Sequence, residues 1–154
     1  HTQNYLNHND TNYIWWVNTF RLLKLIKETW FSQIIEQFSA HNKPIYGGSA
    51  WAIIIWKEIH TAEDKNIVKL WFNESLGFNL CNDYAIACHY SWSNSFDNEI
   101  VDYVRYFQIP VLCLPEWTWV VYDGHNYTIQ GNTSAFLFDM SLHKTEIKVG
   151  ENLP

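Results

Sequence analysis

The sequence is poor in methionine, proline, glycine and charge. One Met, four Pro and six Gly leave no Pro-rich or Gly-rich linker in 154 residues, so residues 1–154 read as one domain. Charged residues make up 17% and hydrophobic residues 47% of the chain; charge this sparse beside so much apolar material excludes disorder. The ten Lys and Arg are scattered and the formal net charge is −6, which leaves no basic stripe for nucleic acid. Apolar runs such as "AIIIW", residues 52–56, fall far short of the roughly 18 residues of a membrane span. Cys81, Cys88 and Cys113 are odd in number and form no C-x-x-C pair, which excludes a secreted disulfide framework and predicts buried free thiols in a cytoplasmic protein. Four Asn-x-Ser/Thr triplets, at Asn9, Asn73, Asn126 and Asn132, and a start at His1 rather than Met keep secretion as the alternative.

Aromatic rings are what the chain has in excess. Nine Trp, nine Tyr and nine Phe form 18% of it, and each buried ring removes on the order of 150–250 Å² from water. Rings without room in the core are expected to line a pocket or an interface.

Residues 1–12, "HTQNYLNHNDTN", read as a polar arm. From Thr19 to Ser39, Leu22, Ile26, Trp30, Ile34 and Phe38 recur every four residues, predicting one long helix capped by Asn18 or Thr19. Pro44 ends that pattern. The β-branched and aromatic run "WAIIIW" predicts a strand within 50–60, paired as a hairpin with 66–72. "DYAIACHY" then reads as a buried strand, "FDNEIVDYVRYF" as a helix capped by Ser95, and "IPVLCLP" as a second strand parallel to the first. After Pro115 the turns "DGHN" and "GNTS" separate three or four antiparallel strands of a meander. The predicted fold is α+β: a single domain with a long N-terminal helix and one crossover helix packed on a mixed, largely antiparallel sheet, closed by the C-terminal β-meander.

Two loops are candidates for chemistry. Gly47, Gly48 and Ser49 form a turn where backbone can approach a ligand, but the sequence holds no G-x-G-x-x-G and no Walker loop. In a βαβ unit, ligands sit beyond the carboxyl ends of the strands, which selects the loop with His89, Trp92, Asp97 and Glu99. Cys88 and His89 are adjacent strand residues and point to opposite faces, so they are not read as a nucleophile and its base. G-x-S-x-G is missing, so no serine triad is assigned. The histidines at 8, 41, 60, 89, 125 and 143 show no i, i+4 pair, and neither a metal nor a cofactor is expected.

"KPIYGGSAW" and the stretch from Asn82 to Pro115 resemble the Rossmann-like superfamily of nucleoside deoxyribosyltransferases and cytokinin-activating phosphoribohydrolases. That resemblance implies action on an N-glycosidic bond, with Glu99 as the helix-borne carboxylate, though the glycines of the superfamily's second loop are absent. "PIYGGSAW" followed by "TAEDKN" also resembles small nucleotidyltransferases, but Asn66 stands where their second metal-binding carboxylate is needed. Neither family is adopted.

The first functional reading is therefore a non-catalytic binding protein. Its aromatic-lined pocket or face, built from Gly47, Gly48, Ser49, Trp51, His89, Trp92, Trp117 and Trp119, would receive an apolar or aromatic small molecule or a protein partner, with Trp56 and Trp71 clustered beside Trp51, Trp117 and Trp119. The alternative is a small enzyme acting on a nucleoside or nucleotide, with Tyr46, Asp97 and Glu99 converging in one cleft.

Overall fold

The computed structural model describes residues 18–62, 75–81 and 83–154; the expected arm, the expected strand 66–72 and Trp71 lie outside them. Asn18 starts the first helix, α1 (Thr19–Lys27), by accepting the Arg21 N–H on its side chain at 2.9 Å. The expected long helix is two helices. At Thr29 the backbone N–H and the hydroxyl both turn back to the Ile26 carbonyl, at 3.2 and 3.1 Å, and this ends α1 before α2 (Phe31–Ala40) begins. The four-residue apolar rhythm persists across the break, so periodicity alone cannot reveal it.

The expected strand at 50–60 is instead a short helix, α3 (Ala50–Ile55). Trp51, Ala52, Ile53 and Ile54 are all buried; a helix enclosed on nearly every side shows the same unbroken apolar run as a buried strand. The chain does form antiparallel pairs just beyond it, but with residues 75–77: Ile59 N–H bonds Ser75 O at 3.1 Å and Gly77 N–H bonds Lys57 O at 3.0 Å.

The βαβ unit is as the sequence predicts. β1 (Ala85–Cys88) runs parallel to β2 (Val111–Leu114), with Ala85 opposite Val111, and α4 (Asn94–Phe107) connects them. Ser93, rather than Ser95, caps α4 by accepting the Phe96 N–H at 3.2 Å. β3 (Thr118–Tyr122) and β4 (Tyr127–Gly131) form a hairpin of their own, whereas β5 (Ala135–Phe138) and β6 (Lys144–Ile147) join the main sheet in the order β1-β2-β5-β6. The expected meander is thus divided between two sheets.

Strand alternation sorts the core onto two faces. Ile86, Leu112, Leu114 and Leu137 pack with Phe20 and Leu23 of α1, Ile35 of α2, and Trp51 and Ile54 of α3. Ala85, Ala87, Val111, Cys113 and Phe138 pack on the other face with Ile100, Tyr103 and Val104 of α4. The molecule is one α+β domain of helices on a mixed sheet, and the carboxyl ends of β1 and β2 emerge side by side where α3 begins.

Candidate active site

Three polar side chains meet at that point. Ser49 precedes α3 with φ 50° and ψ −121°, a region that L-residues other than glycine avoid and that costs on the order of 1–3 kcal/mol. The turn exposes the hydroxyl. Its tightness rests on Gly47, where a Cβ would come within 2.6 Å of Trp51 Cδ1 and 2.9 Å of Ala52 N, whereas Gly48 faces open space. Gly47 thus allows the sharp turn that presents Ser49.

His89 follows the last residue of β1. Its φ of 59° breaks the strand alternation and lets the imidazole leave the direction that a regular strand would impose. Nε2 lies 3.1 Å from Ser49 Oγ, and Nδ1 lies 2.5 Å from Oε1 of Glu116. Glu116 stands two residues beyond β2. The side chains of His89 and Glu116 are 59% and 68% exposed, so the array opens to solvent and to substrate. A hydroxyl, an imidazole and a carboxylate in hydrogen-bonded series can activate the hydroxyl as a nucleophile.

A cleft of about 240 Å³ adjoins this array, with Ser49 and His89 on its wall. Cys88 also borders it, its thiol directed to Ser49 O at 3.8 Å. Burial, reinforced by the negative charge of Glu116, pushes that thiol up to about 12, so it stays protonated at neutral pH and is not the nucleophile.

The other expected site residues lie elsewhere. Asp97 accepts the Tyr90 hydroxyl and receives Lys144 Nζ at 2.8 Å, a network that ties α4 to the sheet. Glu99 is exposed on α4 and accepts the Ser95 hydroxyl at 3.4 Å. Tyr46 is 62% exposed, and none of these three lines the cleft. Trp51 and Trp56 are buried in the core, while Trp92, Trp117 and Trp119 are exposed; the expected ring of indoles around one cavity is not what these residues form. Glu116 was missed by the sequence reading. Its signal was its place at the carboxyl end of a predicted parallel strand, the rule that selected His89.

A family model for peptidase family S51 matches residues 1–130, which include all three members of the array. The chain belongs to peptidase family S51. No curated protein matches the sequence. Among solved structures, it is similar to a protein of Listeria monocytogenes EGD-e provisionally named peptidase E, whose crystal structure was determined at 1.5 Å. The two are 22% identical with a TM-score of 0.68, over 86% of this chain and 64% of that one. The S51 chain thus spans a little under two thirds of the length of that protein, and at this identity the likeness concerns the fold.

Membership in a peptidase family overturns the expectation of a non-catalytic ligand-binding protein and displaces the nucleoside or nucleotide enzyme as well. The serine pattern escaped notice because Trp51 occupies the last position of G-x-S-x-G in "GGSAW". The turn survives this change: Trp51 is 4% exposed and packs where Gly47 lacks a side chain.

Proposed function

We propose that this S51 chain is a serine peptidase working through Ser49, His89 and Glu116. His89 Nε2 takes the proton of the Ser49 hydroxyl as Oγ attacks the peptide carbonyl carbon, and Glu116 holds the other ring nitrogen and stabilises the imidazolium that forms. The tetrahedral adduct collapses as the C–N bond breaks, and His89 returns the proton to the leaving amine. Water, deprotonated by the same imidazole, then hydrolyses the acyl-enzyme to release the acid and regenerate the serine. The amide of Ala50, at the start of α3 where N–H groups lack an intrahelical acceptor, is the donor expected to face the developing oxyanion.

The observation that carries this reading is the pair of contacts through His89, 3.1 Å to Ser49 and 2.5 Å to Glu116. A fluorophosphonate probe tests it: Ser49 becomes labelled in the wild-type protein, as located by mass spectrometry, and labelling is lost in Ser49→Ala and His89→Ala. Labelling that persists in folded Ser49→Ala, or that is absent from the wild-type protein, overturns the assignment.

The compartment that suits this reading is the cytoplasm, supported by three free cysteines. Among the described residues no helix is long and apolar enough to cross a membrane.

A further inference from the structure

The residue after His89 is held by three elements at once. His89 itself leaves the strand at φ 59°, a left-handed conformation that a side chain adopts only where its surroundings impose it. Tyr90 then returns the chain to the β1–β2 ladder, its backbone N–H donating to Leu114 O at 3.1 Å. The tyrosine is 2% exposed and packs among the apolar residues shared by α4 and the sheet. Its ring centroid lies 5.2 Å from that of Phe96 and 5.4 Å from that of Phe136.

The hydroxyl of that buried ring donates to Asp97 Oδ1 in the first turn of α4, and Asp97 Oδ2 receives Nζ of Lys144, the first residue of β6, at 2.8 Å. The same ammonium stands 5.2 Å from the centroid of the Tyr90 ring, 4.9 Å from that of Phe136 and 5.6 Å from that of Phe138, within cation–π range. Lys144 thus holds the tyrosine twice, over its ring face and through the carboxylate. The side chains of Asp97 and Lys144 are 27% and 31% exposed, so solvent only partly screens the pair. Burial, reinforced by the Asp97 carboxylate, pushes the Tyr90 hydroxyl up to about 12, and it stays a donor at neutral pH. We propose that Asp97 and Lys144 are positioning residues for the reaction: they fix Tyr90, and Tyr90 fixes the backbone kink that aims the His89 imidazole at Ser49 and Glu116. The effect on rate rests on the serine-peptidase reading, whereas the aim of the ring can be read without any peptide.

Two readouts test the proposal: NMR of isotope-labelled histidine nitrogens, with the His89 signals assigned by their loss in His89→Ala, and the rate of fluorophosphonate labelling of Ser49. At a pH where the imidazole is neutral, the wild-type ring is expected to hold one tautomer, its proton on Nδ1 toward Glu116. In Tyr90→Phe and Asp97→Asn the two nitrogen shifts are expected to move toward the averaged values of a free ring. The maximal labelling rate is expected to fall about 10- to 100-fold, with the probe concentration for half-maximal rate unchanged. Lys144→Arg keeps the cation and is expected to retain most of the wild-type rate, while Lys144→Met behaves like Asp97→Asn. Folded Tyr90→Phe and Asp97→Asn variants in which either readout stays at its wild-type value overturn the proposal, even if their unfolding midpoints fall. If those two variants do not fold, Lys144→Met and Lys144→Arg decide, and equal behaviour of the pair overturns it. A wild-type protein in which Ser49 takes no label refutes the peptidase reading, and the His89 spectra then judge the aim of the ring by themselves; a labelled protein whose variants are unaffected refutes the positioning role alone.

Discussion

Tyr103 on α4 donates its hydroxyl to the Glu58 carboxylate at 2.7 Å, joining positions 45 apart in sequence. Glu58 is 1% exposed and also meets the backbone N–H of His60, at 2.8 Å, and the His60 ring nitrogen Nδ1. The contact ties the segment just after α3, and with it the Thr61–Ala62 wall of the cleft, to the crossover helix on the opposite face of the sheet.

Stability will therefore fall in acid through Glu58. Burial raises its carboxyl, but the hydrogen bonds from His60 and Tyr103 outweigh burial and hold it below its ordinary value. A carboxyl lowered in the folded state contributes stability that is complete above the unfolded-chain value of about 4.3 and is lost as pH falls from there through the folded value. Urea midpoints at pH 7 and pH 3.5 are expected to differ more in the wild-type protein than in Glu58→Gln. Tyr103→Phe, which removes one donor from a buried carboxylate, is expected to cost about 1–3 kcal/mol at pH 7.

The Ser49 turn separates stability from the proposed activity. Ser49→Gly relieves the φ of 50° and is expected to gain on the order of 1 kcal/mol over Ser49→Ala. Both variants lack the hydroxyl, and peptide hydrolysis is expected to fall at least about 10³-fold in each. Thermal unfolding beside activity is the measurement; a Gly variant no more stable than the Ala variant would remove strain from the account.

Gly47 and Gly48 will respond oppositely to alanine. At Gly47 the new Cβ would strike the Trp51 ring and Ala52 N, while at Gly48 it meets nothing within 4 Å. Gly47→Ala is expected to cost about 1–3 kcal/mol through overpacking and to lower the rate of Ser49 labelling, and Gly48→Ala to leave stability within about 0.5 kcal/mol. Equal behaviour of the two in denaturation and labelling assays would contradict the packing described for the turn.

In the proposed mechanism Glu116 orients His89, and on that proposal Glu116→Gln is expected to reduce kcat by about 10²–10⁴-fold with little change in KM. Its carboxylate lies at the surface of the array, so unfolding midpoints should barely move. A loss confined to KM would reassign Glu116 to substrate binding.

Native thiols will resist alkylation. Burial pushes Cys81 and Cys88 up to about 12 and Cys113 higher still, against an ordinary value of about 8.5. At pH 8 the thiolate fraction, and with it the iodoacetamide rate, is expected to be lower by about 10³-fold than in the urea-unfolded chain. Rapid alkylation of any of the three in the native protein would show that its burial is incomplete.

Short-range chemistry was legible in the sequence wherever it acts within one turn or one strand. The unbroken apolar runs "AIAC" and "VLCL", bounded by polar and proline residues, identified two buried strands, the rhythm of Ile100 and Val104 identified the helix between them, and Asn18 was a correct cap. Such signals need no distant partner. "WAIIIW" was misread because a residue buried on all sides carries no periodicity, and the break at Thr29 because apolar spacing continues on both sides of it.

The three residues of the array illustrate the same division. Residue by residue, the sequence determined that Ser49 sits on a glycine turn and that two buried strands run close to His89 and up to Pro115, because turn formation and strand burial follow from local composition; it gave no sign of Glu116's part. That these ends coincide was decided by tertiary structure alone. Parallel pairing of β1 with β2 brings His89 and Glu116 together although 27 positions separate them, and the packing of α3 places Ser49 40 positions from its histidine yet within hydrogen-bond reach. Distance along the chain carries no information about such contacts, because the apolar core that draws the strands and helices together rewards area removed from water without regard to the order in which the chain supplies it.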